Sequence, residues 1–380
     1  MAGIYIHIPF CKQACTYCNF HFSTSLKLKN DFLNALFQEI KLAQSYLNQP
    51  TIETIYIGGG TPSTLSIGNI ELILEHLLTT FNCTNIKEFT IEANPDDLSP
   101  SYLKQLKTIK NLPLNRLSIG TQSFNNSDLQ WMNRAHNANE ALNSIKNAQQ
   151  MGFYNLNIDL IYGIPKQISD SFKQNLETFL KLQAPHLSAY CLTVEAKTPL
   201  AHQIKNKKTP NVSNTQAAEE MQYLINTLKQ NNFEQYEVSN FATNRQYALH
   251  NTNYWLNKPY IGLGPSAHSY NGQNRQWNIS NTPLYIKNIT QKKDYFTTET
   301  LSQKDKYNEY IMTRLRTKWG VNLNYVKQHF GNTYAQHFLS NLTASNYLPN
   351  QHYQSKNNTI SLMQNGLLMA DAFAANLFMV

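Results

Sequence analysis

The sequence predicts an α/β protein, an open, partial (β/α)6 barrel followed by a smaller C-terminal helical or winged-helix-like domain. Three observations carry that fold class. Short β-type runs alternate with amphipathic helical segments through the first half of the chain. The connections between them are short. Every unusual glycine, cysteine or polar cluster falls just past the carboxyl end of a run. Alternation with short links means right-handed βαβ units and a parallel sheet. Six units are too few to close an eight-stranded barrel, and ligands of such sheets sit beyond the strands' carboxyl ends.

Taken in order, the β-type runs cover residues 4–8, 54–57, 88–93, 116–120, 155–162 and 186–193. Helical patterns lie between them at 31–47, 70–81, 102–109, 138–151 and 169–182. In the first of these, Phe32, Leu33, Leu36, Phe37 and Ile40 form one apolar stripe at helical spacing. Past residue 200 the rhythm changes. A helix near 212–230 precedes the stretches His250-Asn251-Thr252-Asn253-Tyr254-Trp255 and Gly262-Leu263-Gly264-Pro265-Ser266-Ala267-His268. Polar sequence at 291–302 then leads to a tail with helical patterns at 305–318 and 366–377. The expected organisation is a barrel core at 1–200, an extension at 201–295 and a small domain at 296–380.

Of the 380 residues 41% are hydrophobic and 15% charged, a globular balance. The formal charge of +8 invites a nucleic-acid partner. The only dense basic run, Lys205-Asn206-Lys207-Lys208, reads as a solvated loop, so no nucleic acid is expected. The N-terminus lacks the basic segment and apolar stretch of a signal peptide. No segment reaches the ~18 uninterrupted apolar residues of a membrane helix. Residues 366–380 come nearest, and Asp371 and Asn376 interrupt them. A cytoplasmic, reducing location is expected.

Three of the five cysteines, Cys11, Cys15 and Cys18, follow the first β-run at C-x3-C-x2-C spacing, while Cys83 and Cys191 stand isolated. Three thiolates on one loop can hold three irons of a [4Fe–4S] cube and leave the fourth iron open. Zinc competes, but it prefers paired knuckles and four ligands. A disulfide suits neither the odd cysteine count nor a chain without a secretory signal. Three unligated buried cysteines are the remaining alternative. Gly58-Gly59-Gly60, after the second run, lets backbone amides approach a ligand, and a tight turn would use the same residues.

The cysteine spacing resembles that of the radical S-adenosylmethionine (SAM) superfamily. Tyr5-Ile6-His7-Ile8-Pro9-Phe10-Cys11 is similar to a narrower group within it, the oxygen-independent coproporphyrinogen III oxidases and the HemW-type haem chaperones. The oxidases continue C-x-C, whereas this chain reads Cys18-Asn19-Phe20, as HemW-type proteins do. Only ten residues precede Cys11, fewer than the N-terminal arm of the oxidases would need.

The resemblance implies a [4Fe–4S] cluster on Cys11, Cys15 and Cys18, with SAM chelated at the open iron. It also implies SAM contacts from Tyr5, Tyr17, Gly59, Gly60, Thr61, Glu92, Gln122, Arg134 and Asp159. A carboxylate there suits ribose hydroxyls, and an arginine suits a carboxylate. Each residue alone is as readily explained by a structural hydrogen bond or salt bridge. The HNxxYW stretch implies haem binding, with His250 as a ligand and Tyr254 and Trp255 offering flat apolar surface. A buried, hydrogen-bonded histidine inside an aromatic cluster is the competing reading, and His268 is the more structural of the two histidines.

The implied function is that of a haem chaperone handing haem to acceptor haemoproteins such as respiratory-chain cytochromes. Contact with a membrane would be transient, without a transmembrane segment. The alternative is an oxidase in which SAM is cleaved and the resulting 5′-deoxyadenosyl radical abstracts hydrogen from propionate side chains. Phe20 and the short N-terminus speak against that activity, and no residue is assigned a catalytic role.

Overall fold

The computed structural model describes residues 1–48 and 50–380. Its main sheet contains β1 (Ala2–Ile8), β2 (Ile52–Gly59), β3 (Glu88–Ala93), β4 (Arg116–Gln122), β5 (Leu156–Tyr162) and β6 (His186–Cys191). It continues with β7 (Glu234–Gln235), β8 (Asn240–Ala242), β9 (Tyr260–Leu263), β10 (His268–Tyr270), β11 (Asn274–Asn278) and β12 (Phe296–Thr300). The strand order is β12-β11-β10-β9-β1-β2-β3-β4-β5-β6-β8-β7. Strands β1 to β6 are mutually parallel, in sequence order, as the βα alternation requires. The ends of the order, β12 and β7, are not paired with each other, so the barrel is open.

Residues 201–295 do not form a separate layer; they lengthen the sheet at both edges. β9 runs parallel beside β1 and carries β10 and β11, while β8 pairs antiparallel with β6. The expected boundary at 295/296 falls just before β12, which pairs with β11. These strands are two to five residues long, too short to show a period in sequence.

Period two sorts the strands' two faces. On β1, Ile4, Ile6 and Ile8 join the main apolar cluster, as do Ile55 and Ile57 of β2 and Leu117 and Ile119 of β4. The helix Lys29–Leu42 covers part of that cluster with Phe32, Leu33, Leu36 and Ile40, the stripe read from sequence. Each fully buried side chain of this kind contributes about 2 kcal/mol of transfer free energy. The alternate positions place Tyr5, His7, Tyr56, Glu92, Arg116, Ser118 and Asp159 on the other face, so the barrel interior is polar.

A second apolar cluster, including Tyr307, Ile311, Val326, Phe338 and Phe373, organises the C-terminal unit. Helices Gln303–Leu315, Leu323–Phe330 and Asn332–Ala344 pack there with a small sheet of β13 (Val321–Asn322), β14 (Tyr353–Lys356) and β15 (Thr359–Leu362). Helices followed by a two-strand wing make the winged-helix-like arrangement. Asn357 and Asn358 turn the wing with φ of 51° and 57°, the backbone of a tight two-residue hairpin. The helical pattern at 366–377 is broken in the structure into Gln364–Leu367 and Ala370–Asn376. Backbone bonds from Val238 N to Arg316 O and from Lys318 N to Tyr236 O, both 3.0 Å, fasten this unit to the sheet.

Candidate functional site

A cavity of about 400 Å³ opens at the carboxyl ends of β1 to β6. Cys11, Cys15 and Cys18 line it together with Tyr17, Gly59, Gly60, Thr61, Glu92, Gln122, Arg134 and Asp159. With Tyr190 and Cys191 of β6, residues from six strand ends therefore converge on one space.

The cysteine loop is held from several sides. Cys11 N donates to Ser23 O (3.0 Å) and Thr16 N to Met132 O (3.0 Å), and Leu200 N donates to Thr16 O (2.8 Å). Lys12 pairs with Asp96 at 2.9 Å and also with Asp97. Thr61 Oγ1 donates to Cys11 Sγ (3.4 Å) and Arg134 Nη1 to Cys15 Sγ (3.2 Å). Burial pushes the Cys11 thiol up to about 11 and raises that of Cys18. Such thiols hold their protons until a metal displaces them.

The glycines are required where the chain crosses this loop. A Cβ on Gly60 would lie 2.7 Å from Phe10 O and 3.0 Å from Cys11 Sγ. Gly59 has φ +112°, and a Cβ there would strike the His7 ring. The His7 ring is fixed in turn: its Nε2 donates to His21 O (2.8 Å), so Nδ1 accepts from the Tyr5 hydroxyl (3.0 Å).

Glu92 accepts from the Tyr56 hydroxyl (2.6 Å) and from Gly59 N (3.1 Å). Asp159 accepts from Asn157 Nδ2 (2.7 Å). Burial pushes Glu92 up to about 7 and Asp159 up to about 6, while Arg116 nearby favours the charged form of both. Gln122 reaches the cavity from a left-handed backbone, φ 64°, at the irregularity between β4 and β5.

Several positions differ from expectation. Tyr5 is not among the residues lining the cavity; it stands behind it, against His7 and Tyr56. Both terminal nitrogens of Arg134 are occupied, by Cys15, Asn94 Oδ1 (2.8 Å) and Gly120 O (2.8 Å), which leaves no free fork for a bidentate clamp. Only its Nε is buried without a partner. Cys191, isolated in sequence, lines the same cavity as the three clustered cysteines.

His250 also departs from expectation. It is buried, with Nδ1 2.8 Å from Thr54 Oγ1, Nε2 2.7 Å from the Tyr254 hydroxyl, and its ring stacked on Tyr56. Both nitrogens are engaged, so it offers no free lone pair to an iron. Arg116, unremarked in sequence, is 1% exposed and its Nε has no partner. The signal was present: Arg116, Ser118, Gly120 and Gln122 make one polar face on an otherwise buried strand.

The donor set fits an iron–sulfur cluster. Three thiols and two N–H or O–H donors to sulfur surround one space, with a glycine cradle beside them. Among the described residues no three His, Cys, Asp or Glu side chains are arranged to hold a single metal ion; the cysteines instead ring the cavity.

A cysteine-ringed cavity at the mouth of a partial parallel barrel is the organisation of a radical SAM protein, and residues 5–179 match the Radical SAM superfamily model. The heme chaperone HemW of Bacillus subtilis is 33% identical over 334 residues, covering 87% of each chain. That of Lactococcus lactis is 33% identical over 317 residues, 83% of this chain and 82% of its relative. The chain belongs to the HemW family. Coproporphyrinogen III oxidase (HemN) from Escherichia coli superposes with a TM-score of 0.83 at 22% identity, over 99% of this chain and 90% of that one, which shows a shared fold. No helix among the described residues is long and apolar enough to cross a membrane.

Proposed function

We propose that this protein is a cytoplasmic haem chaperone that carries a [4Fe–4S] cluster on Cys11, Cys15 and Cys18, binds SAM beside it, and passes haem to acceptor haemoproteins. The observation that carries this reading is the ring of three cysteines on the cavity that also holds Glu92, Asp159 and the glycine cradle. When bound, such a cluster supplies one iron without a protein ligand, at which SAM can be chelated. Around it, Thr61 and Arg134 stabilise thiolate charge by donating to Cys11 and Cys15. Gly59 and Gly60 keep the wall thin enough for backbone contact. Glu92 and Asp159 accept from ribose hydroxyls, with Tyr56 and Asn157 orienting them. Tyr5 acts at one remove, by fixing His7 behind Gly59.

The division into a core at 1–200, an extension at 201–295 and a domain at 296–380 is part of this proposal, with the first unit serving SAM and the second the cargo. A nucleic-acid role draws no support from the winged-helix-like unit, because its helix Asn332–Ala344 carries neither Lys nor Arg. Haem transfer tests the reading. Reconstituted protein mixed with haem should show a Soret band, and an added apo-haemoprotein should acquire that haem from it. A protein that neither binds nor releases haem would rule the chaperone out.

Binding of SAM should depend on pH in a defined direction. Glu92 and Asp159 are protonated in the unliganded fold below about 7 and about 6, and both lose that proton as pH rises. A sulfonium cation and donating ribose hydroxyls favour the ionised carboxylates. Affinity at a pH of about 8 should exceed that at about 5.5 by on the order of tenfold. Titration of SAM against the cluster's EPR spectrum at each pH measures it. A pH-independent affinity would remove both carboxylates from the site.

A further inference from the structure

His7 stands behind the glycine wall of the cysteine cavity and is gripped from two sides. Gly264, just after β9, passes so close to β1 that a Cβ there would lie 2.5 Å from His7 O. Its φ of +97° favours glycine as well. On the other side, His7 Nε2 donates to His21 O (2.8 Å), and the His21 ring in turn meets Thr282 Oγ1 at 2.9 Å. Thr282 opens the helix Thr282–Thr290.

Both grips lead to one carboxylate. Glu39, on the inner face of the helix Lys29–Leu42, is 1% exposed. It accepts from Gly264 N (2.7 Å), from Asn278 Nδ2 on β11 and from the Tyr285 hydroxyl on the helix Thr282–Thr290. Asn278 Nδ2 also donates to Gly264 O (2.8 Å), so the turn after β9 is held at its N–H and at its carbonyl. A buried carboxylate is costly unless its lone pairs are satisfied. Three donors satisfy this one, and they favour its ionised form although burial pushes it up to about 7. Hydrogen bonds from three segments fix position in a way that apolar packing does not.

What His7 positions is the cavity wall. A Cβ on Gly59 would lie 2.7 Å from His7 Nδ1, so the ring limits how far that glycine can retreat. Gly59 N donates to Glu92 (3.1 Å), and Gly59 and Gly60 line the cavity. A shift of Gly264 or of His21 therefore reaches the glycine wall and the Glu92 carboxylate through one imidazole.

We propose that Glu39 is a positioning residue for the SAM site. It clamps His7 through Gly264 on one side and through Tyr285, Thr282 and His21 on the other, and so holds Gly59 and Glu92 in the geometry that binds SAM. The role rests on the reading that SAM occupies the cysteine cavity. Glu39 does not line that cavity, and the cysteine loop is fastened separately by Ser23, Met132 and the Lys12–Asp96 pair.

SAM is titrated into the full-length, cluster-loaded protein against the EPR spectrum of the reduced cluster, and iron per chain is measured on the same samples. Glu39→Ala should weaken SAM by on the order of tenfold, the scale for residues that act on a site through its ligands, with iron at the wild-type level. Glu39→Gln keeps an acceptor for Gly264 N and should recover affinity to within about threefold of wild type, one hydrogen bond being the difference. Gly264→Ala should reproduce the loss with Glu39 intact, because its Cβ is driven into His7 O. Tyr285→Phe, which keeps the ring in the core and removes one donor, should weaken SAM by about threefold. Unchanged SAM affinity in Glu39→Ala would overturn the role. Where that variant does not fold, unchanged affinity in Tyr285→Phe decides in the same way. Iron falling in step with SAM affinity, or a Glu39→Gln protein no better than Glu39→Ala, would make Glu39 general scaffolding and overturn the role as well. A wild-type spectrum indifferent to SAM would instead remove the SAM reading, and with it the site that Glu39 serves.

Discussion

Cys11→Ala, Cys15→Ala and Cys18→Ala should each abolish the brown chromophore and the roughly three to four irons per chain acquired on anaerobic reconstitution. The loop around these thiols is already fixed by Ser23, Met132 and the Lys12–Asp96 pair, so removing one sulfur deletes a ligand without unfolding the rim. No nearby group can replace it on the loop itself. Cys83 lies elsewhere, its thiol 4.0 Å from Leu77 O, and Cys83→Ala should change nothing. Cys191 is the discriminating control, because it shares the cavity. A three-cysteine cluster with an open iron requires that Cys191→Ala keep full iron content. Loss of iron in that variant would make Cys191 the fourth ligand and leave SAM no open iron. Full cluster content in Cys15→Ala would sink the assignment altogether.

How far the sequence reveals such a site depends on how local its parts are. The six parallel strands are legible because each is a compact β-type run between helical patterns, and β3 is found at 88–93, as the sequence indicates. The rim is legible for the same reason: Cys11, Gly59, Glu92 and Asp159 each belong to a strand or to the turn after it. The illegible parts are those made by distant segments meeting. Cys191 stands alone in the sequence, and only the pairing of β6 beside β5 brings it to the rim. The ring of His250 carries no mark in sequence of the Thr54 and Tyr254 hydroxyls that occupy it. The short edge strands β7 to β12 lack the length to show alternation, so the extension's place in the sheet emerges only from pairing. A second cavity, of about 590 Å³, is further still from view, because its walls come from β6, β9, β11 and the C-terminal unit at once.

The protein should not convert coproporphyrinogen III when supplied with SAM and a reductant under anaerobic conditions. The fold cannot decide this, since it is shared with coproporphyrinogen III oxidase over nearly the whole chain. Residue 20 can. Where the oxidases of the resembling family have a further cysteine, this chain places Phe20, 69% exposed and lining the cysteine cavity. A phenyl ring can neither ligate a metal nor carry a proton or thiyl chemistry, so it cannot take over whatever that thiol does during decarboxylation. The nearest rim hydroxyl is no substitute, because burial makes the Tyr17 phenol harder to ionise. The assay is the appearance of protoporphyrinogen IX, read as protoporphyrin fluorescence after oxidation, with a known oxidase run in parallel. The expected result is no product above the no-enzyme control, in a preparation whose haem Soret band shows it to be folded and loaded. Phe20→Cys should not restore turnover alone if the remaining rim is specialised for holding SAM. Steady formation of protoporphyrinogen IX by the wild-type protein would overturn the chaperone reading and install the oxidase in its place.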